Sequence, residues 1–132
     1  IFANIALGGH SFTLIEIHVV PPARAFLLDH RNLQLADLEK IVQHLSGPVL
    51  VLGDFNSSPW SPYFSDFIAT TGLEQAKKGF GIQPTWPSYN PFMRVPIDHC
   101  LHSKDIRVSD HRSGPYIGSD HFPVIVEFCV EQ

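Results

Sequence analysis

Residues 49–60, VLVLGDFNSSPW, constrain the fold more than any other stretch of the chain. Four consecutive apolar residues without alternation suit a strand covered on both faces. Such a strand needs a layer on either side, so the stretch predicts a layered α/β or α+β architecture. The apolar run stops at Gly53. A carboxylate, an aromatic and a carboxamide follow at once: Asp54, Phe55 and Asn56. Polar groups just past a buried strand are aimed by a rigid scaffold, which is where catalytic and binding residues concentrate.

The rest of the chain supplies the other layers. Residues 1–7, IFANIAL, read as a short strand, and Gly8-Gly9 is a hairpin signal. Residues 11–20, SFTLIEIHVV, read as a second strand with Glu16 and His18 on one face, ended by Pro21-Pro22. Residues 30–46 carry Leu35, Leu38, Ile41, Val42 and Leu45 at helical spacing, and Gly47-Pro48 stops that helix. Ser61-Pro62 opens a second helix, 61–71, with Phe64, Phe67 and Ile68 as its apolar stripe. From 74 to 96 periodicity fades into a long loop of the kind that is often functional. Residues 97–102, 105–111 and 122–130 read as three more strands, the last with Phe122, Val124, Val126, Phe128 and Val130 on one face.

A chain of 132 residues predicts one domain with one real core. The formal charge of −4 argues against a nucleic-acid coat protein, though not against a local positive groove. Eight histidines predict a charge that moves near pH 6–7. Cys100 and Cys129 fit no metal or redox spacing and read as two buried thiols. No apolar run approaches the ~18 residues of a membrane span, and no signal peptide is visible. The chain opens on Ile1, already inside a strand pattern, and reads as a fragment or an excised domain.

Chemistry-bearing residues recur at strand ends. His18 precedes Pro21-Pro22, Asp54 and Asn56 follow VLVLG, Asp98 follows Ile97, and Asp120-His121 precedes the last strand. Each alone has a plainer reading: Asp54 and Asn56 as turn residues, His18 as structural, Asp98 as a solvated strand-end charge, Asp120-His121 as a turn. Together they compose a site with a physical use. Carboxylates hold a hard cation, which neutralises phosphate oxygens and acidifies a bound water. A carboxylate orients the attacking water, a carboxylate-held histidine contacts phosphate, and a carboxamide donates to developing charge. No P-loop, nucleophile elbow or zinc signature is present in the sequence.

The segments VLGDFNSSP, PIDHCL and SDHFPVIVEF, with IHVVPP before them and TWP at 85–87, resemble the endonuclease/exonuclease/phosphatase superfamily over residues 11–130. The resemblance implies the C-terminal half of a four-layer α/β sandwich with two packed mixed sheets. It implies Mg²⁺-dependent hydrolysis of a phosphate ester (Mn²⁺ as the other candidate ion) by in-line attack of water. Asp54 would position that water and share the metal site, and Asn56 would bind the scissile phosphate. His121, hydrogen-bonded to Asp98, would contact the phosphate. Asp120 would lie at or beside the metal, and His18 would be the second phosphate-contacting or acid histidine. The substrate class stays open among nucleic acid, a phospholipid headgroup and a small phosphate.

Family domains of this resemblance are about twice as long, and their first half supplies an Asn and a metal-binding Glu that have no counterpart before residue 11. An apolar sheet face or edge is therefore expected to be exposed and covered by self-association or by an upstream segment. A second function follows from the same gap: an oligomeric or phosphate-binding module without turnover. Phe55, Trp60, Tyr63, Trp86 and Phe92 fall near the expected cleft, with Trp60 and Trp86 the candidates for substrate contact by base stacking or headgroup packing. Arg24, Arg31, Arg94, Arg107 and Arg112 are candidates to reach phosphates. The form of IHVVPP resembles bacterial members tethered to membranes outside the cytosol, which implies an extracytoplasmic setting.

Overall fold

A computed structural model describes residues 1–131. Strands β1 (Phe2–Leu7) and β2 (His10–His18) form a hairpin in which Leu7 faces His10 across Gly8-Gly9. Both glycines have left-handed φ, +61° and +86°, which a two-residue turn matched to the strand twist requires. Helix α1 (Ala25–Gln43) then crosses over, and β3 (Val49–Asp54) lies parallel to β2. Helix α2 (Pro62–Thr71) has proline in its first turn and ends at the left-handed Gly72. The chain continues through β4 (Glu74–Gln75), β5 (Asp98–His102), β6 (Ile106–Ser113) and β7 (Val124–Val130).

Five strands form one mixed sheet in the order β1-β2-β3-β5-β4, and β6 and β7 form a separate antiparallel pair. Strand alternation sorts the sheet's side chains to two sides. Ile15, Val49, Val51 and Leu101 pack with Leu35, Leu38 and Val42 of α1 and with Phe64 and Phe67 of α2. Leu50 and Cys100 point the other way and meet Ile106, Val126 and Phe128 of the β6–β7 pair. The layers are helices, mixed sheet, second sheet, which is the layered α/β architecture expected with VLVL at its centre.

Several boundaries differ from the sequence reading for physical reasons. Helix α1 starts five residues earlier than its apolar stripe suggests, because Ala25–Asp29 are helix-compatible but leave Phe26 exposed. Its buried stripe is Arg31, Leu35, Leu38 and Val42, while Ile41 faces solvent. Strand β2 ends at His18, and Val20 N–H donates to the Gln34 side chain instead of a neighbouring strand. Two residues of the presumed loop, Glu74 and Gln75, pair with His102 and Leu101 as β4, too short a strand to carry a period. Strand β7 begins after Pro123, because Phe122 N–H donates to Thr85. Cys129 is exposed on the outer side of β7, so only Cys100 is a buried thiol. No helix among the described residues is long and apolar enough to cross a membrane.

Candidate active site

The central strands deliver three chemistry-bearing residues to one row. In register, His18 faces Asp54 across the parallel β2–β3 pair, and Asp54 faces Asp98 across the antiparallel β3–β5 pair. Gly53 makes this row possible. Its φ is +139°, and a Cβ there would stand 1.9 Å from the Ile17 carbonyl oxygen. Only glycine lets β3 run this close to β2 immediately before Asp54.

The turn that follows is held from both sides. Asn56 has φ +45°, a conformation that asparagine tolerates better than most residues. Its backbone N–H donates to Asp54 Oδ1 at 2.7 Å. Its side-chain Nδ2 donates to Asp54 Oδ2 at 3.1 Å and to the Val19 carbonyl at 2.9 Å. Both amide hydrogens are thus committed, and a bound phosphate would take one only by displacing an internal acceptor. Buried Arg31 donates from Nη1 to the Asn56 carbonyl at 3.1 Å and lies 5.4 Å from the Tyr63 ring centre. Buried His99 contacts the Ser57 carbonyl through Nε2 at 2.8 Å and stacks 4.3 Å from Phe64. Burial pushes the His99 imidazole down to about 4, so the ring is neutral at neutral pH and Nε2–H is the donor.

The last site residue arrives from the second layer. The loop before β7 is stitched to the 85–88 segment by Ser88 N–H on the Asp120 carbonyl at 2.7 Å and Ser88 Oγ on the Ser119 carbonyl at 2.7 Å. This places His121 Nδ1 at 2.8 Å from Asp98 Oδ2, which accepts its hydrogen. The other nitrogen, Nε2, faces Asp54 Oδ2 at 3.9 Å, and His18 Nε2 stands 3.7 Å from the same oxygen. Asp54 is 11% exposed and His18 74%, so a buried carboxylate sits beneath an accessible imidazole. Burial raises the Asp54 pKa, and the Asp98 charge adds to that; the Asn56 N–H and the two imidazoles oppose it.

His18, Asp54, Asn56 and His121 line a hollow of 820 Å³ with Trp86, Asp120 and the Pro21-Pro22 segment, and Asp98 lies beside it, on the adjoining 420 Å³ hollow and bonded to His121. His18, Asp54, Asn56, Asp98, Asp120, His121 and Trp86 are therefore gathered around one cleft end of the sheet. Asp54, Asp98 and His121 each offer a ligand atom within 4.8 Å of the others, a spacing one metal ion can bridge. Two carboxylates and an imidazole suit a divalent cation. Asp120 stands outside that group, exposed, with its carboxylate accepting the Trp86 indole N–H at 3.4 Å. Among the described residues no glutamate joins the group, and Glu16 is exposed opposite Leu52.

Other candidates lie elsewhere. Trp60 lines a separate hollow with Lys77, Lys78 and Ile82, because the turn into α2 carries it away from Asn56. Phe55 is fully buried against Phe64 and Phe67 and is a core residue. Arg31 supports the turn from beneath, and Arg94 lies over Phe122 at 4.6 Å. Arg107 and Arg112 stand on β6, Arg112 paired with Asp110 and Glu127. Sequence reasoning missed Arg31 and His99 as supports of the turn. The signal for Arg31 was its place four residues before Leu35 on the buried stripe of α1.

Two packed β-layers, helices on one side, and an Asp-His cluster at the end of the central strand define a layered α/β sandwich. The sequence matches the Endonuclease/Exonuclease/phosphatase family over residues 3–121, and the chain belongs to that family. It is 26% identical over 129 residues to the UPF0294 protein VP2298 of Vibrio parahaemolyticus, covering 93% of this chain and 42% of that protein. The fold resembles an endonuclease/exonuclease/phosphatase of Beutenbergia cavernae, with a TM-score of 0.77 at 19% identity, over 98% of this chain and 39% of that one. It also resembles the endonuclease/exonuclease/phosphatase of Bacteroides vulgatus, with a TM-score of 0.73 at 18% identity, over 94% and 51%. The chain thus spans about half or less of the length of each of these relatives.

Proposed function

We propose that this chain hydrolyses phosphate esters by attack of water on phosphorus in the His18–Asp54–His121 cleft. One observation carries the reading: a carboxylate of raised proton affinity is flanked by two imidazoles, one of them oriented by a second carboxylate. Asp54 orients the water and takes its proton as the new O–P bond forms. The ester P–O bond opposite breaks, and His18, the accessible imidazole, protonates the leaving oxygen. His121 contacts a phosphate oxygen through Nε2, its ring fixed by Asp98. Asn56 acts chiefly by holding Asp54. Asp54 and Asp120 would hold Mg²⁺ or Mn²⁺, with the Asp98 carboxylate, which also holds His121, within reach of Asp54. Such an ion would supply charge neutralisation at phosphate and acidity to water.

The test is release of p-nitrophenol from bis-p-nitrophenyl phosphate with and without Mg²⁺ or Mn²⁺, beside Asp54→Ala. Metal-dependent release that Asp54→Ala abolishes is expected. A second reading has one observation in its favour: among the described residues the carboxylate group contains aspartates and no glutamate. On it, the cleft binds phosphate without turnover. Phosphate binding by calorimetry, with no ester hydrolysed by this chain or by a family-length protein containing it, would establish that reading instead.

A further inference from the structure

Two loops beside the cleft carry large apolar side chains that stand mostly in solvent. Tyr89, Phe92, Met93, Tyr116 and Ile117 are 65–98% exposed, and Phe92 is the most exposed of them. The first loop is pinched at its base, where Val95 N–H donates to Trp86 O at 2.6 Å and Trp86 N–H to Val95 O at 3.1 Å. Its tip is a built turn: Asn90 Oδ1 accepts the Phe92 N–H at 3.1 Å, and the Asn90 carbonyl accepts the Met93 N–H at 3.2 Å. The second loop holds Tyr116 against Phe122 and is tied to the first through Ser88, which bonds the Ser119 and Asp120 backbone. Trp86 at the foot of one loop and Ser119–His121 at the foot of the other line the cleft itself. The five side chains therefore stand on two loops whose feet border the cleft, an apolar rim beside it, with Ile117 also lining the adjoining 420 Å³ hollow.

The rim's charge says what it fits. Residues 86–97 contain no carboxylate and one cation, Arg94; residues 113–118 contain no charge. Arg94 is turned inward, its Nη2 on the Ser88 carbonyl at 2.7 Å and its guanidinium over Phe122. Nucleic-acid binding draws most of its affinity from lysines and arginines set against the phosphate backbone, and this rim offers none outward. Contiguous exposed apolar surface marks an interaction site, and tyrosine, whose ring is apolar with a polar tip, suits the boundary between water and hydrocarbon. We propose that the rim is a lipid-interface surface that seats this chain on a zwitterionic bilayer, so that the cleft meets phosphate esters carried in that layer. The substrate part rests on the phosphoesterase reading; the surface part does not.

The probe is phosphatidylcholine vesicles, sedimented with the wild-type chain, with Phe92→Ser/Met93→Ser and with Asp54→Ala. Wild type and Asp54→Ala should pellet with the vesicles equally, and 1 M salt should not release them, since no charge drives the contact. The double variant should partition at least about tenfold less, since it loses two large apolar side chains from the interface. Its hydrolysis of soluble bis-p-nitrophenyl phosphate and its melting temperature should not change. Vesicle binding by a chain that hydrolyses nothing upholds the surface and removes the substrate. Wild type left in the supernatant, equal partition of the double variant, or single-stranded oligonucleotide bound through Phe92 in place of vesicles overturns the proposal.

Discussion

The two faces of the central sheet are built differently. On the helix face Phe55, Phe64, Phe67, Val51 and Leu101 are almost wholly buried, with α1 and α2 packed across them. On the face toward β6–β7 Leu52, Val126, Phe128 and Val130 are only partly buried. Hollows of 420 and 580 Å³ flank β7, and its outer edge has no partner strand among the described residues. The candidate site lies on the seam. Asp54 is anchored through the closed face, by Arg31 and His99, whereas His121 arrives on a loop from the open one. The group proposed as base is thus rigid by core packing, and the imidazole proposed to contact phosphate depends on loop stitching.

The largest break is expected at the closed face. Gly53→Ala drives a Cβ into the Ile17 carbonyl and should remove roughly 4 kcal/mol or more, enough to unfold a marginal chain. Urea unfolding followed by far-UV circular dichroism reads it, and a native-like midpoint would contradict the close approach. Paired truncations then measure the asymmetry directly. Phe64→Ala should cost about 3–5 kcal/mol and Phe128→Ala about half of that, because its site is already part open. Equal costs would mean that both faces are equally closed in solution. The open face should also associate. Light scattering is expected to give a dimer or larger species, and Val126→Lys to shift it toward monomer; a monodisperse wild-type monomer with a cooperative melt would defeat that expectation.

A smaller effect is expected where the closed face meets the site. Arg31→Met keeps the length and apolar contact of the side chain but loses the donor to the Asn56 carbonyl. Diester hydrolysis should fall about 10–100-fold in kcat with KM nearly constant, the signature of a misaligned Asp54 rather than lost binding. A rise in KM at constant kcat would instead place Arg31 among groups that bind substrate.

Much of this was legible in the sequence, for identifiable reasons. VLVL announces a strand covered twice, Gly8-Gly9 announces a hairpin, and His18, Asp54, Asp98 and His121 each stand at the end of an apolar run. Register then aligns His18, Asp54 and Asp98, and the loop stitched by Ser88 brings His121 to them. The parts that were not legible are decided by tertiary contact. Arg31 reads as one of several arginines that could reach phosphates, and His99 carries no sequence signal, until α1 and β5 bury them beneath the turn. Asp120 reads as a carboxylate at or beside a metal, and what the sequence does not reveal is that it accepts the Trp86 indole N–H. Trp60 is four residues from Asn56, and the local turn alone decides that it leaves the cleft.

The smallest predicted effect compares the faces through their histidines. His99 is sealed on the helix side, while His111 on β6 turns inward on the open side with Nδ1 unpartnered. Burial lowers the His111 pKa below its ordinary 6.5, and the nearby Lys77 charge lowers it further. The other basic group in range is His99, whose pKa also feels the His111 charge. With the folded pKa depressed, the unfolded chain takes up the proton first as pH falls. Stability from the neutral ring is therefore complete above about pH 6.5 and is lost below it, down to the folded value. Melting temperature should fall between pH 7.5 and 5, and His111→Phe, which keeps the ring and removes the titration, should make that fall shallower. An unchanged slope in His111→Phe would show that water already reaches His111, and that the open face is more open than its burial in the fold implies.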